Sequence, residues 1–182
     1  LISGYATYTF ADQADVLLNT RLAADAVGAT KMDRPEWGAV NPKNNDVYMA
    51  MTNNSSRTAA TADPANPRAY SDTFGSAIPP VTNRGNVNGH ILRFSEAAAD
   101  PAATSFNWDV YLFGAEAGAD GATVNLSGLT ADNDFSSPDG LWFSRSTGLC
   151  WIQTDDGAYT DVSNCMMLVG VPGRVGDGAK AT

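Results

Sequence analysis

Arg34 and Glu36 stand two residues apart in the string Lys31-Met32-Asp33-Arg34-Pro35-Glu36-Trp37-Gly38, which gathers cations and carboxylates around a proline. On an extended segment a spacing of two puts both side chains on one face. A guanidinium placed so can grip a phosphate through two parallel hydrogen bonds, and a carboxylate beside it can ligate a hard cation such as calcium. An ordinary Arg–Glu surface pair is the plainer alternative. A partial second copy of the unit favours the chemical one. Pro35-Glu36, Asn41-Pro42-Lys43 and the run Asp46-Val47-Tyr48-Met49-Ala50-Met51-Thr52 align with Pro138-Asp139, Ser144-Arg145 and Gly148-Leu149-Cys150-Trp151-Ile152-Gln153-Thr154. Glu36 and Asp139 fall in the same slot, 139 − 36 = 103 residues apart. Two carboxylates converging on one place repel unless a cation lies between them, which makes both candidate metal ligands.

Secondary contacts are expected where the second strand of each unit ends. Asn53, Asn54 and Arg57 follow the first unit, and Asp155-Asp156-Gly157 follows the second. Turn chemistry explains them as readily as an amide oxygen ligand or a second anion contact from Arg57. His90, the chain's one histidine, opens a strand as Gly89-His90-Ile91 and reads more simply as a structural residue than as a ligand or general acid. No Gly-rich phosphate loop or nucleophilic serine elbow is present.

These residues need a scaffold. An internal strand–turn–strand repeat is the mark of a radial or stacked architecture, and the expected fold is all-β, a portion of a β-propeller of about two blades. Strands are predicted over 37–40, 46–52, 89–94 and 106–113, completing a first blade over 36–113. Strands over 139–143, 149–154 and 165–169 form a second, incomplete blade within 135–170. Residues 53–88 and 114–133 lack apolar periodicity and read as long loops. Aromatic alternation from Tyr5 to Phe10 suggests a further strand. Apolar residues at three- and four-residue spacing over 15–28 predict one helical insertion, with Asp12 or Asp15 as N-cap and Gly28 as its stop. Trp37, Trp108, Trp142 and Trp151 are expected in the core or between blades. The glycine-rich tail after 170 reads as frayed. Open blade edges are a liability, so the whole chain, 1–182, reads as one partial propeller domain of a larger protein, or one that associates through those edges.

Composition narrows the partners. The chain has 182 residues, 43% hydrophobic and 17% charged, with 20 acidic against 11 basic residues and a net charge of −9. Nucleic acid and anionic membranes are poor partners for that balance, since counterion release needs clustered Lys and Arg. No run approaches the ~20 apolar residues of a membrane span. Two cysteines, Cys150 and Cys165, with one histidine, exclude a paired Cys/His zinc cluster. Buried thiols are the expected state, and a disulfide requires the right strand register.

The strings Thr30-Lys31-Met32-Asp33-Arg34-Pro35-Glu36-Trp37, Val47 to Arg57, Asn66-Pro67-Arg68, Gly89-His90-Ile91-Leu92-Arg93-Phe94 and Phe135-Ser136-Ser137-Pro138-Asp139-Gly140-Leu141 together resemble the PhoX-type bacterial alkaline phosphatases. The likeness runs from about residue 12 to 169. It implies a six-bladed propeller with ferric iron and calcium at the mouth of its channel. It also implies hydrolysis of phosphomonoesters and export to the periplasm or medium, commonly by the twin-arginine route. By position Glu36 matches a metal-ligand glutamate, Arg34 a substrate-phosphate arginine and Asp139 a later acidic ligand. The family's cysteine iron ligand lies upstream of this region, and neither Cys150 nor Cys165 matches it. Two rivals remain at this point: a calcium-dependent propeller hydrolase of the lactonase kind, and a non-catalytic partial-propeller binding module.

Overall fold

A computed structural model describes residues 8–74, 79–155 and 165–173. The chain divides into two compact units, Leu1–Lys31 and Met32–Thr182. In the first, the single predicted helix is two short ones, α1 (Gln13–Leu18) and α2 (Thr20–Ala26). Asp12 caps α1, its carboxylate accepting from the Asp15 N–H at 2.9 Å. Asn19 makes the break: its Nδ2 donates to the Asp15 carbonyl at 3.2 Å and to Asp15 Oδ1 at 2.7 Å. Such local side-chain bonding competes with the helical ladder. The apolar stripe is only partly covered: Val16, Leu22 and Ala23 are half-buried, while Leu17 and Leu18 are exposed. Of the expected strand from Tyr5 to Phe10, residues 5–7 lie outside the described residues, and Tyr8 to Phe10 are irregular.

The second unit is built from antiparallel sheets. Its strands are β1 (Pro35–Val40), β2 (Val47–Met51), β3 (Tyr70–Phe74), β4 (Val81–Gly85), β5 (His90–Glu96), β6 (Phe106–Phe113), β7 (Pro138–Phe143), β8 (Cys150–Thr154) and β9 (Met167–Gly170). A four-stranded sheet runs in the order β1-β2-β5-β6, the up-and-down order of one blade, and a three-stranded sheet runs β7-β8-β9. The β3–β4 hairpin forms a sheet of its own between β2 and β5. It corrects the reading of residues 53–88 as a plain loop. Its pairing is polar, with Asp72 opposite Asn83 and the Thr73 and Thr82 hydroxyls 3.1 Å apart across the strands, so no apolar alternation announces it. The segment 114–133 likewise is ordered by polar staples: Asn125 Nδ2 donates to the Leu129 carbonyl at 2.9 Å, while the Leu129 N–H donates to Asn125 Oδ1 at 2.7 Å.

The core lies between the two blades. Ala39, Tyr48, Ala50, Ile91 and Tyr111 of the first sheet meet Leu141, Phe143, Cys150 and Ile152 of the second. Alternation along β7 and β8 explains which residues these are. With Leu141, Phe143, Cys150 and Ile152 turned inward, Trp142 and Trp151 must take the opposite face, where they stand cross-strand from each other. Trp37, Trp108, Trp142 and Trp151 are all outside the core, which corrects the core reading of the four tryptophans. One charged side chain does enter it. Arg93, 1% exposed, binds Asp109 through Nε at 2.9 Å and Nη2 at 2.6 Å, and its guanidinium lies over the Tyr48 and Tyr111 rings. Pairing in this two-pronged geometry is what makes a buried guanidinium tolerable.

Neither cysteine is in a disulfide. The register pairs Cys150 with Gly170 and Gln153 with Met167, which leaves Cys165 at the far end of the β8–β9 hairpin. Burial pushes the Cys150 thiol up to about 12, while Cys165 is exposed. A thiol-reactive dye at neutral pH is therefore expected to modify Cys165 in the native protein and Cys150 only on unfolding. Rapid modification of both without denaturant would contradict the placement of Cys150.

Candidate functional site

The repeat seen in sequence is sharper in the backbone. Arg34 and Ser137, each directly before a proline, both take left-handed backbone, at φ 50° and 54°. The Thr52 N–H donates to the Arg34 carbonyl at 3.2 Å, and the Asp155 N–H donates to the Ser137 carbonyl at 2.9 Å. The following turns match as well: Asn41 N–H to Asp46 carbonyl against Ser144 N–H to Leu149 carbonyl, with Asn45 and Gly148 both left-handed. The offset thus stays constant through the second strand. Asp46 corresponds to Leu149 and Thr52 to Asp155, one residue on from the alignment read off the sequence. A bulge after Pro35 and another after Pro138 re-aim the residues that follow, Glu36 and Asp139 among them.

Both pre-proline turns lie at one end of the blades, where β1 begins and β2 ends. Thr52 Oγ1 donates to the Pro138 carbonyl at 3.0 Å and the Ser137 N–H donates to the Asn88 carbonyl at 3.0 Å, which locks the two repeats together. Gly89 is required here: at φ +65°, a Cβ would collide with the Met51 and Thr52 carbonyl oxygens.

Arg34 projects from this end with its side chain 55% exposed. Its Nη1 donates to Asn53 Oδ1 at 2.8 Å and its Nη2 to Glu36 Oε1 at 3.3 Å. Asn53 in turn donates through Nδ2 to Ser137 Oγ at 3.4 Å, so it touches both repeats. Asp139 has its carboxyl pKa raised, first by burial and then by the negative charges of Glu36 and Asp155, with Arg34 offsetting part of the effect. The structure therefore brings Arg34, Glu36, Asn53 and Asp139 into one electrostatic neighbourhood, and adds Asp155 to it. Asp155 is the strand-end residue singled out in the second unit, and it falls opposite Thr52 at the constant offset once the turns are in register.

Arg57 and His90 lie instead in a buried layer beneath that surface, centred on Asp33, with Asn54 half-buried at its edge. Asp33 Oδ1 accepts from Asn54 Nδ2 at 2.6 Å and from Arg57 Nε at 2.9 Å, and Oδ2 accepts from Asn86 Nδ2 at 3.0 Å. Arg57 also reaches Asp63 and the Thr61 carbonyl. His90 donates through Nε2 to the Ala65 carbonyl at 2.8 Å, so its Nδ1 accepts from Asn86 Nδ2 at 2.9 Å, and the ring is neutral. Burial, with the positive charge of Arg68 nearby, holds its pKa down at about 4. Both ring nitrogens are engaged within the fold.

The oxygens around Glu36 and Asp139 suit a hard cation in kind, and Glu36 and Asp155 add to burial in raising the Asp139 pKa, with Arg34 offsetting part of it. In number they are short: among the described residues no group of three or more His, Cys, Asp or Glu is close enough to hold a metal ion. Calcium takes about six to eight oxygen ligands.

Repeated antiparallel blades make this a portion of a β-propeller, and an arginine and two carboxylates stand at the common end of the blades. The chain belongs to the alkaline phosphatase PhoX family, whose model matches residues 2–180. The solved structure of Pseudomonas fluorescens PhoX in complex with vanadate, a transition state analogue, is similar to it with a TM-score of 0.69 and 37% sequence identity. The alignment covers 88% of this chain and 27% of that one, so the chain spans about a quarter of that protein's length. A comparison with curated proteins found no match. The family match bears out the resemblance over the lactonase alternative, and the propeller fold agrees with it.

Proposed function

We propose that these residues form part of the active site of a phosphomonoester hydrolase, with Arg34 as the phosphate-binding arginine and Glu36 and Asp139 as ligands of calcium and ferric iron. The observation that carries the reading is Arg34 itself. A non-glycine residue in left-handed backbone is unfavourable and persists where the surroundings over-determine it, commonly at functional sites. Here the strained residue is an arginine with an exposed guanidinium, held at Nη1 by Asn53 and lying 3.3 Å from Glu36. Pre-orientation by Asn53 lowers the side-chain entropy lost when the fork closes on a phosphoryl oxygen pair. An exposed Arg–Glu pair is worth little and yields readily to a phosphate.

When bound, the metal ions supply charge stabilisation at the phosphoryl oxygens and the leaving group. Glu36 and Asp139 hold their negative charge close enough to repel each other, so they favour occupation by a cation, and Asp155 adds to the same field. The remaining ligands come from outside the described residues, from a further stretch of propeller or from a second copy joined at an open edge. Asn54, Arg57 and His90 serve the site from below. Export to the periplasm or medium follows the family resemblance; no helix among the described residues is long and apolar enough to cross a membrane.

The test is vanadate affinity in the presence of calcium. Arg34→Ala removes charge-assisted hydrogen bonds worth about 1.5–3 kcal/mol, so affinity is expected to fall roughly ten- to a hundredfold. Unchanged affinity in a folded variant sinks the phosphate role of Arg34.

A further inference from the structure

We infer that Asp33 is a positioning residue for Arg34, acting through Asn54; the inference rests on the phosphate-binding role proposed for Arg34. Asp33 is 0% exposed, yet it immediately precedes an exposed arginine. Its carboxylate takes Asn54, Arg57 and Asn86 as donors, and its own N–H donates to Asn66 Oδ1 at 3.0 Å. A carboxylate offers about four lone-pair sites, and this one is filled from two separate segments of chain, that of Asn54 and Arg57 and that of Asn86.

The bond from Asn54 is one rung of a ladder. Asp33 and Arg34 are neighbours on one segment, Asn53 and Asn54 on another. The lower rung is Asn54 Nδ2 to Asp33 Oδ1 at 2.6 Å, half-buried and charge-assisted. The upper rung is Arg34 Nη1 to Asn53 Oδ1 at 2.8 Å, at the surface. Between them the Thr52 N–H donates to the Arg34 carbonyl at 3.2 Å. An exposed arginine otherwise carries about 2 kcal/mol of rotamer entropy, which the surface bonds to Asn53 and Glu36 do not by themselves hold in check. The lower rung fixes the separation of the two segments, and with Pro35 on the other side it over-determines the left-handed turn at Arg34. Aim at the surface is thus set from the buried layer.

Knitting the 53–88 segment to the blade is a purely structural alternative, and a site-specific probe separates the two. The Nε–Hε correlation of Arg34 in the NMR spectrum of the 182-residue chain reports the guanidinium directly. Asn54→Ala removes the lower rung and leaves the Asp33–Arg57 ion pair, 2.8 Å between Nη2 and Oδ1, to hold the fold. The Arg34 signal is expected to shift toward its unfolded-chain position in Asn54→Ala, while that of Arg93, bonded to Asp109 in the core, stays in place. An Arg34 signal that does not move overturns the inference. Vanadate affinity gives the second readout. Asn54→Ala is expected to weaken it about tenfold in the natural background and not at all in the Arg34→Ala background. Equal weakening in both backgrounds overturns the inference in favour of a structural role. If Arg34→Ala alone leaves vanadate binding intact while the Arg34 signal still follows Asn54, the phosphate role has failed and the positioning role stands.

Discussion

Replacing Asp33 with alanine is expected to cost about 3–5 kcal/mol of folding stability, read as a fall in the urea midpoint. The reason is what the substitution leaves behind. The Arg57 side chain is 6% exposed, and its Nε and Nη2 both point at Asp33, so its buried charge would lose its near partner and keep Asp63 at 3.7 Å. Asn54 and Asn86 would each lose the acceptor of an Nδ2 donor. Orphaned buried donors cost their full desolvation, which exceeds what the intact bonds contribute. Against a total stability of about 5–15 kcal/mol such a loss is severe. Arg34→Ala, one residue along, gives the contrast. Its pair with Glu36 is surface-exposed, and its removal is expected to change stability by no more than about 0.5–1 kcal/mol. Similar losses for the two substitutions would refute the division into a buried supporting layer and an exposed reactive one.

That division is also where the sequence stopped being informative. The repeat at 103 residues placed Glu36 and Asp139 in one slot because it rests on local punctuation: proline before an acid, a turn of Asn, Pro and Gly, then alternation. Arg34 was legible for the same reason. Asp33 was not, although it sits in the same string. Its burial depends on Asn54, Arg57, Asn66 and Asn86, four positions whose convergence no local pattern encodes. Asn54, Arg57 and His90 were noticed as polar residues near strand ends, but polarity alone does not say whether a side chain faces solvent or another polar group. The tryptophans show the converse. Size and apolarity suggested burial, whereas the parity of β7 and β8 turned Trp142 and Trp151 outward. The β3–β4 hairpin escaped notice because its strands are polar, and strand reading relies on one apolar face. The single helix expected over 15–28 ignored Asn19, whose amide finds local acceptors.

His90 makes the buried layer sensitive to pH, and the sign follows from its depressed pKa. The ring titrates near 6.5 in the unfolded chain and at about 4 in the folded protein, chiefly because it is buried and secondarily because of Arg68. Between these values the unfolded chain binds the proton and the folded one does not, so stability rises with pH through that window. The contribution is complete above 6.5 and is lost as pH falls toward 4, where the folded ring at last accepts the proton. A gap of that size corresponds to about 3 kcal/mol. Protonation would turn the acceptor at Nδ1 into a second donor facing the Asn86 amide, and would place a cation near Arg68 and Arg57, with Asp33 as the compensating charge. His90→Gln keeps a donor and an acceptor but cannot titrate in this range. It is expected to be less stable than the natural protein at pH 7, yet to lose about 3 kcal/mol less between pH 7 and pH 4 by urea denaturation. Carboxylates titrate in both proteins, so the difference of slopes isolates the ring. Parallel stability profiles would mean that His90 takes up its proton at the same pH in the folded and unfolded states, and would overturn the buried ring with the lowered pKa.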